Sequence, residues 1–389
     1  MAAKSLVLHI GDPKTGTSSI QEVMRNRLWD SPSVTVAYPE QLNSFPLANA
    51  LSDPKQAEHR EPRYTKLASW LAATDADVAV VSAEQFFRVD PETLLATLKE
   101  FMPDYVPTLR IVAYVRPHAS RLLSAFMQRG KAGLYFGDME TFFKRTKGEK
   151  LLNYTPRFHR WRDTFGDRFI LRPMIRSQLR DGDVVSDFLD IVLRGAPFTL
   201  RGTVEANPSL PVEFLVGLRD LQAILKRNQV PNGTRHSVGD HVGMTLARTQ
   251  PGEGAKLQIS EALYQSLKDF CQADAEALDA DFFGGQPLMA EALAQAGGDA
   301  IPEKQILALK SHYSEDSILA LRKKCRNLVS MFKKRPSAWT MAFEQEIGQR
   351  VGKPDAEPPK PIRAHIEKVN ETLTEIARMI ADDRLTKPD

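Results

Sequence analysis

The sequence predicts an α/β fold: a three-layer α/β/α arrangement with a central parallel sheet. Two observations carry that reading. Short apolar runs recur at Leu6, Val7, Leu8 and Ile10, at residues 77–82 (DVAVVS) and at 109–115 (LRIVAYV). Such runs suit strands buried on both faces of a parallel sheet. Between them lie stretches whose apolar residues fall three and four apart, with turn residues at the joins, which predicts alternating helices.

The first of these units organises the rest. Gly11, Asp12 and Pro13 stop the strand, and Lys14, Thr15, Gly16, Thr17 and Ser18 follow. From Ser18 or Ser19 a helix can run through Ile20, Val23, Met24 and Leu28. A strand, a glycine-bearing turn and a helix N-terminus make a phosphate cradle, because free amides and the helix dipole both favour an anion there. A Walker A loop reads G-x-x-x-x-G-K-[ST]. Here Gly11 and Gly16 keep that spacing, but Thr17 follows Gly16 and the lysine stands inside the loop, at Lys14. The fold class is therefore P-loop-like without a Walker A lysine. The string PKTGTSS at 13–19 resembles the 5′-phosphosulfate loop of sulfotransferases that use 3′-phosphoadenosine 5′-phosphosulfate (PAPS). An ordinary strand–turn–helix with a solvated lysine is the alternative.

A second stretch strengthens the resemblance. The run at 109–115 ends at Arg116-Pro117, and Ser120, Leu123, Ser124 and Met127 then fall at helical spacing. In the sulfotransferase family an arginine at a strand end and a serine eight residues on bind the 3′-phosphate of PAPS. Arg116 and Ser124 match that spacing, and Arg121 matches a further basic position. Two positions depart from the family pattern, Pro117 one residue early and Phe126 in place of a frequent tyrosine, and neither is one of the phosphate-binding groups.

Composition sets the class. The chain has 389 residues, enough for two or three units, and a net charge of only +3 implies no global attraction to nucleic acid. Cys271 and Cys325 form no ligand pattern and suit a reducing compartment. The opening run is too short for a signal h-region, and no apolar stretch approaches the roughly 20 residues of a membrane span. A cytoplasmic protein is the expectation.

Further along, residues 39–65 read as irregular, with prolines at 39, 46, 54 and 62. The strand at 77–82 delivers Glu84 to the sheet edge that should also hold Lys14, where a carboxylate can take a proton from an acceptor hydroxyl. The S-x-E string at 82–84 resembles the equivalent segment of bacterial-type members, and helix capping is the plainer role for Glu84. His9, His59 and His118 are rival bases. Lys131, in a lysine-glycine pair like one in similar sulfotransferases, is a candidate contact to sulfonate or acceptor, with a surface lysine as the alternative. Arg201 and Gly202 lie in a connector matching the family segment that folds over the adenine and 3′-phosphate. Residues 228–256 read as a polar, Gly-rich loop or lid, and 304–333 as the closing helix. The expected domains are 1–335, a linker at 336–361, and an amphipathic helix at 362–389. That last helix repeats Ile362, Ile366, Val369, Leu373, Ile376 and Ile380, a seam for a tail helix on the main domain or for a homodimer.

The resemblance implies sulfuryl transfer from PAPS to a hydroxyl, on a glycan or glycolipid by family analogy, releasing adenosine 3′,5′-bisphosphate (PAP). Lys14 would stabilise the leaving phosphate, Glu84 would act as base, and residues 15–18 would hold the 5′-phosphate. No metal is needed, and no nucleic acid or membrane span is expected. A small-molecule kinase or other P-loop nucleotide-dependent enzyme would instead place lysine after Gly16 and an acidic Mg²⁺ ligand at a strand end. A nonenzymatic nucleotide-binding scaffold is the third possibility.

Overall fold

The computed structural model describes residues 3–201, 210–249, 254–347 and 359–382. Its chain divides into two compact units of interleaved segments. Met1–Arg121, Leu151–Glu205 and Phe270–Gln295 form the first; Leu122–Lys150, Ala206–Asp269 and Ala296–Asp389 form the second.

In chain order, β1 (Ser5–His9) leads to α1 (Thr17–Asn26), then β2 (Trp29–Asp30) and β3 (Val36–Ala37). After α2 (Phe45–Ser52) and α3 (Arg60–Ala73) come β4 (Val78–Ser82) and α4 (Pro91–Phe101). Next are β5 (Arg110–Val115), α5 (His118–Lys131), α6 (Met139–Gly148) and α7 (Thr155–Phe165). Then β6 (Phe169–Pro173), α8 (Val184–Leu193) and β7 (Thr199–Leu200) complete the strands named here.

The first unit contains the five-stranded sheet, ordered β3-β4-β1-β5-β6 and parallel throughout. In β1, Val7 points to a core shared with Ile20, Val23 and Met24 of α1 and with Phe188, Leu189 and Val192 of α8. Leu6 and Leu8 alternate to the other face and are equally buried, so both faces are covered, as continuous apolar strands require. From β1 the chain runs to the edge strand β3 and back to β4 on one side, then crosses to β5 on the other. That reversal opens a crevice at the C-terminal ends of β1, β4 and β5. Register aligns the three: His9 pairs with Ser82 on β4 and with Val112 on β5.

The stretch at 39–65 corrects the expectation of irregular chain. It folds as α2, a 3-10 turn at Pro54–His59, and the start of α3. Pro46, Pro54 and Pro62 each sit in a first turn, where a missing N–H costs no hydrogen bond. Proline there starts helices.

The second unit is helical where described. It draws on α6, α9 (Val212–Arg227), α10 (Asn232–Thr249), and parts of α5, α11 (Glu261–Phe282) and α12 (Leu288–Gly298). α13 (Glu315–Lys334), α14 (Ala338–Glu346) and α15 (Lys360–Asp382) complete it. The expected loop or lid at 228–256 is largely α10, whose Val238, Val242 and Leu246 form a fully buried stripe at spacing four. Two of its glycines, Gly239 and Gly243, allow close packing: a Cβ on Gly239 would stand 2.3 Å from the Lys131 carbonyl oxygen. The closing helix begins only at Glu315, with Ser314 accepting from the Ser317 amide as its cap. The seam of α15 is spent inside the chain. Val369, Leu373, Ile376 and Ile380 are wholly buried in one core with Phe214, Leu218, Val242, Leu328 and Trp339. Those four seam positions are therefore packed within the second unit, as a tail helix on the chain's own core would be. Of the expected linker, 338–346 is α14, and 348–358 lies outside the described residues.

Candidate functional site

The crevice at the head of β1 is built from backbone first. Gly11 and Gly16 adopt positive φ, 42° and 81°, and Lys14 between them does too, at 71°. A side-chain-bearing residue in that region costs about 1 kcal/mol, strain that the rest of the turn must hold. Gly16 is the N-cap of α1, with no side-chain cap bond and no acidic residue in the first turn. The first amides of α1 therefore have no capping side chain competing for them, which suits an anion. Thr17 adds a buried hydroxyl without a hydrogen-bond partner. Thr15 differs: its hydroxyl donates to the Asp12 carbonyl at 2.6 Å, stapling the turn and leaving only its amide for a ligand. Ser18 is exposed.

Glu84, two residues past β4, packs its backbone against Gly11; a Cβ added there would lie 3.3 Å from the Glu84 Cα and 2.9 Å from the Thr17 hydroxyl. Burial raises the Glu84 carboxyl above its ordinary range, while the charges of Lys14 and Arg121 pull it back down. So Lys14 and Glu84 act on one another across one hollow.

Arg116, one residue past β5, donates from Nη1 to the Lys14 carbonyl at 3.0 Å and from Nε to the Ser120 hydroxyl at 3.2 Å. The two sequence motifs, 102 residues apart, thus meet at a single hydrogen bond. Burial, reinforced by Arg121, lowers the Arg116 pKa. Beside them Asp12, 1% exposed, lies 2.9 Å from Arg157 Nη2 and 3.3 Å from Arg121 Nε. With Lys14 and Arg116 this makes four cations around two carboxylates, Asp12 and Glu84, so the crevice favours a multiply charged anion.

Not every expected residue joins this cluster. Arg201 is bound to Asp30 at 3.0 Å and donates to the carbonyls of Arg27 and Trp29, at the C-terminal end of α1. Ten helical residues, about 15 Å, separate that end from the loop, so Arg201 supports β2 and β7 rather than a phosphate there. Gly202 lies outside the described residues. Ser124 and Lys131 belong to the second unit, where Lys131 pairs with Asp240 at 3.0 Å. His9 is buried, meets the Ser82 hydroxyl at 2.9 Å, and is pushed down to about 3 by desolvation, which keeps it a structural ring. His118 is buried against Asp274 at 2.9 Å, and His59 is half exposed beside Glu58. Among the candidate bases, Glu84 is the one whose carboxyl the charge of Lys14 pulls down.

No protein-family model matches the chain, and no curated protein does. Among solved structures it is similar to the crystal structure of a sulfotransferase from Alicyclobacillus acidocaldarius, at 13% identity and a TM-score of 0.40, covering 74% of this chain and 99% of that one. A likeness of that depth says nothing about chemistry.

Sequence reasoning missed Asp12 as a counterion, Arg157 altogether, and Tyr154, whose hydroxyl donates to the Arg116 carbonyl at 3.0 Å. Nothing in the local pattern YTPRFHRWR singles out Arg157; only the packing of α7 brings it to Asp12. Among the described residues no three His, Cys, Asp or Glu side chains gather as a cation site, and no helix is long and apolar enough to cross a membrane.

Proposed function

We propose that the first unit is a PAPS-dependent sulfotransferase that transfers a sulfuryl group to an acceptor hydroxyl. The observation that carries the proposal is the hydrogen bond from Arg116 to the Lys14 carbonyl, which joins the two phosphate motifs in one cationic crevice. The uncapped start of α1 and the unpartnered Thr17 hydroxyl fit a 5′-phosphosulfate, and Arg116 fits a second phosphate. PAPS brings the reactive sulfuryl group and a nucleotide phosphate that can depart from it.

The chain's own groups do the rest. The loop amides and Thr17 position the phosphate end, an entropic contribution to rate as much as an energetic one. The Lys14 ammonium stabilises charge that grows as the sulfur–oxygen bond breaks. Glu84, deprotonated, accepts the hydroxyl proton. A glycan or glycolipid acceptor follows from the family resemblance of the loop and of the S-x-E string. A kinase reading is the weaker one, since no lysine follows Gly16.

PAP should raise the thermal midpoint of the whole chain, since a ligand of the native state adds RT ln(1 + [L]/Kd) to stability. ATP with Mg²⁺ should raise it much less; the opposite ranking would move the protein to the kinases. Arg116→Ala should weaken PAP binding by about 2–4 kcal/mol, the scale of a desolvated charge-assisted contact. Transfer itself is read by mass spectrometry of cell extracts incubated with the protein and labelled PAPS, looking for added sulfonate.

A further inference from the structure

Asp274, on α11, reaches across the first unit to the start of two helices. Its carboxylate accepts from the Tyr154 amide at 3.0 Å and the Thr155 amide at 2.9 Å, and from His118 Nε2 at 2.9 Å. Its own carbonyl accepts from the Thr155 hydroxyl at 3.2 Å. The N-cap of α7, Tyr154, makes no side-chain cap bond, so Asp274 supplies the cap from 119 residues away. His118, the first residue of α5, is completely buried, with its ring centroid 4.7 Å from that of Tyr154. Both helices that Asp274 holds lead to the crevice. Tyr154 hydrogen-bonds the Arg116 carbonyl, and Arg157, one turn into α7, grips Asp12.

Burial alone would raise the Asp274 carboxyl, yet the bonds from His118 and from the Thr155 and Tyr154 amides outweigh it and hold the group below its ordinary value. The residue is fully engaged: its partners are two main-chain amides at the start of α7 and the ring of His118, two residues past Arg116.

We propose that Asp274 is a positioning residue for nucleotide binding: through His118 and Tyr154 it fixes the backbone of Arg116, and so the guanidinium that receives the 3′-phosphate. This rests on the sulfotransferase reading. It adds that recognition of the 3′-phosphate depends on a carboxylate outside both sequence motifs, acting through the Tyr154 hydroxyl.

A cap that only stabilises the fold and one that positions Arg116 differ in what they do to two nucleotides. PAP carries the 3′-phosphate and adenosine 5′-monophosphate does not. Titration calorimetry on the full chain should show the wild type preferring PAP by about tenfold or more, as a charge-assisted contact implies. Tyr154→Phe, which keeps the ring and removes one neutral hydrogen bond, should shrink that preference about fivefold. Asp274→Ala should shrink it by about tenfold, and Asp274→Asn should recover most of it, since an amide oxygen can still accept from Tyr154 and Thr155. If both nucleotides weaken in equal proportion in the Asp274 variants, and Tyr154→Phe leaves the preference intact, the residue is only a cap and the inference is overturned. Should Asp274→Ala fail to fold, Tyr154→Phe decides by the same ratio. A wild type that binds both nucleotides equally, or neither, would overturn the PAPS reading itself, a result distinct from an unchanged ratio in the variants.

Discussion

The charge of Lys14 pulls down the Glu84 carboxyl that burial pushes up, and in the proposed reaction that coupling should give a readable pH profile. Glu84 must be ionised to take a proton, and burial raises its pKa above the ordinary 4.5 while Lys14 lowers it. The acid limb of kcat/KM should therefore lie above 4.5. Lys14→Met should move that limb further up, because the charge opposing burial is gone. It should also cost about 3–4 kcal/mol in turnover, the scale of a deleted preorganised partner, with a smaller loss in nucleotide affinity. Glu84→Gln should remove the limb and lower turnover about a hundredfold. A limb that stays put in Lys14→Met would take Glu84 out of the base's role. These residues were legible because apolar runs fix where strands end, and a strand end in a parallel sheet is an address. Asp12, Arg157 and Asp274 have no such address. Each acts through a contact between segments more than 100 residues apart, which periodicity cannot report.

At the level of elements, strands and amphipathic helices were readable and the proline- and glycine-rich stretches were not. Proline at a first turn and glycine at a close helix contact obey the same rules as their counterparts in loops, so composition alone misassigned 39–65 and 228–256. The phosphate turn is different, since there glycine is demanded by geometry. Gly16→Ala would force a methyl group to 2.6 Å from Val184 Cγ1 at a φ of 81°. A loss of about 1–3 kcal/mol is expected in denaturant unfolding, and PAP binding should weaken as the turn is displaced. The seam of α15 is equally specific. Leu373→Ala, at a wholly buried position, should cost about 2–5 kcal/mol. A cost near zero would mean the helix is not part of that core.

Over the whole molecule, one buried ring makes stability depend on acidity. His9 stays neutral in the fold, pushed down to about 3, while the unfolded chain takes up its proton near 6.5. The unfolded state then binds more protons between those values, so this contribution is complete above 6.5 and declines as the pH falls toward 3. Urea midpoints should drop across that window, and His9→Asn should flatten the slope. The cluster around Asp12 bears on how the protein must be handled. Four cations around Asp12 and Glu84 should also attract compact tetrahedral dianions, of which sulfate and inorganic phosphate are two. Chloride at equal ionic strength screens such a cluster weakly, because buried charges feel bulk salt less than exposed ones. On the proposed function, sulfate or phosphate carried into an assay should compete with the nucleotide and lower the measured activity relative to chloride at equal ionic strength.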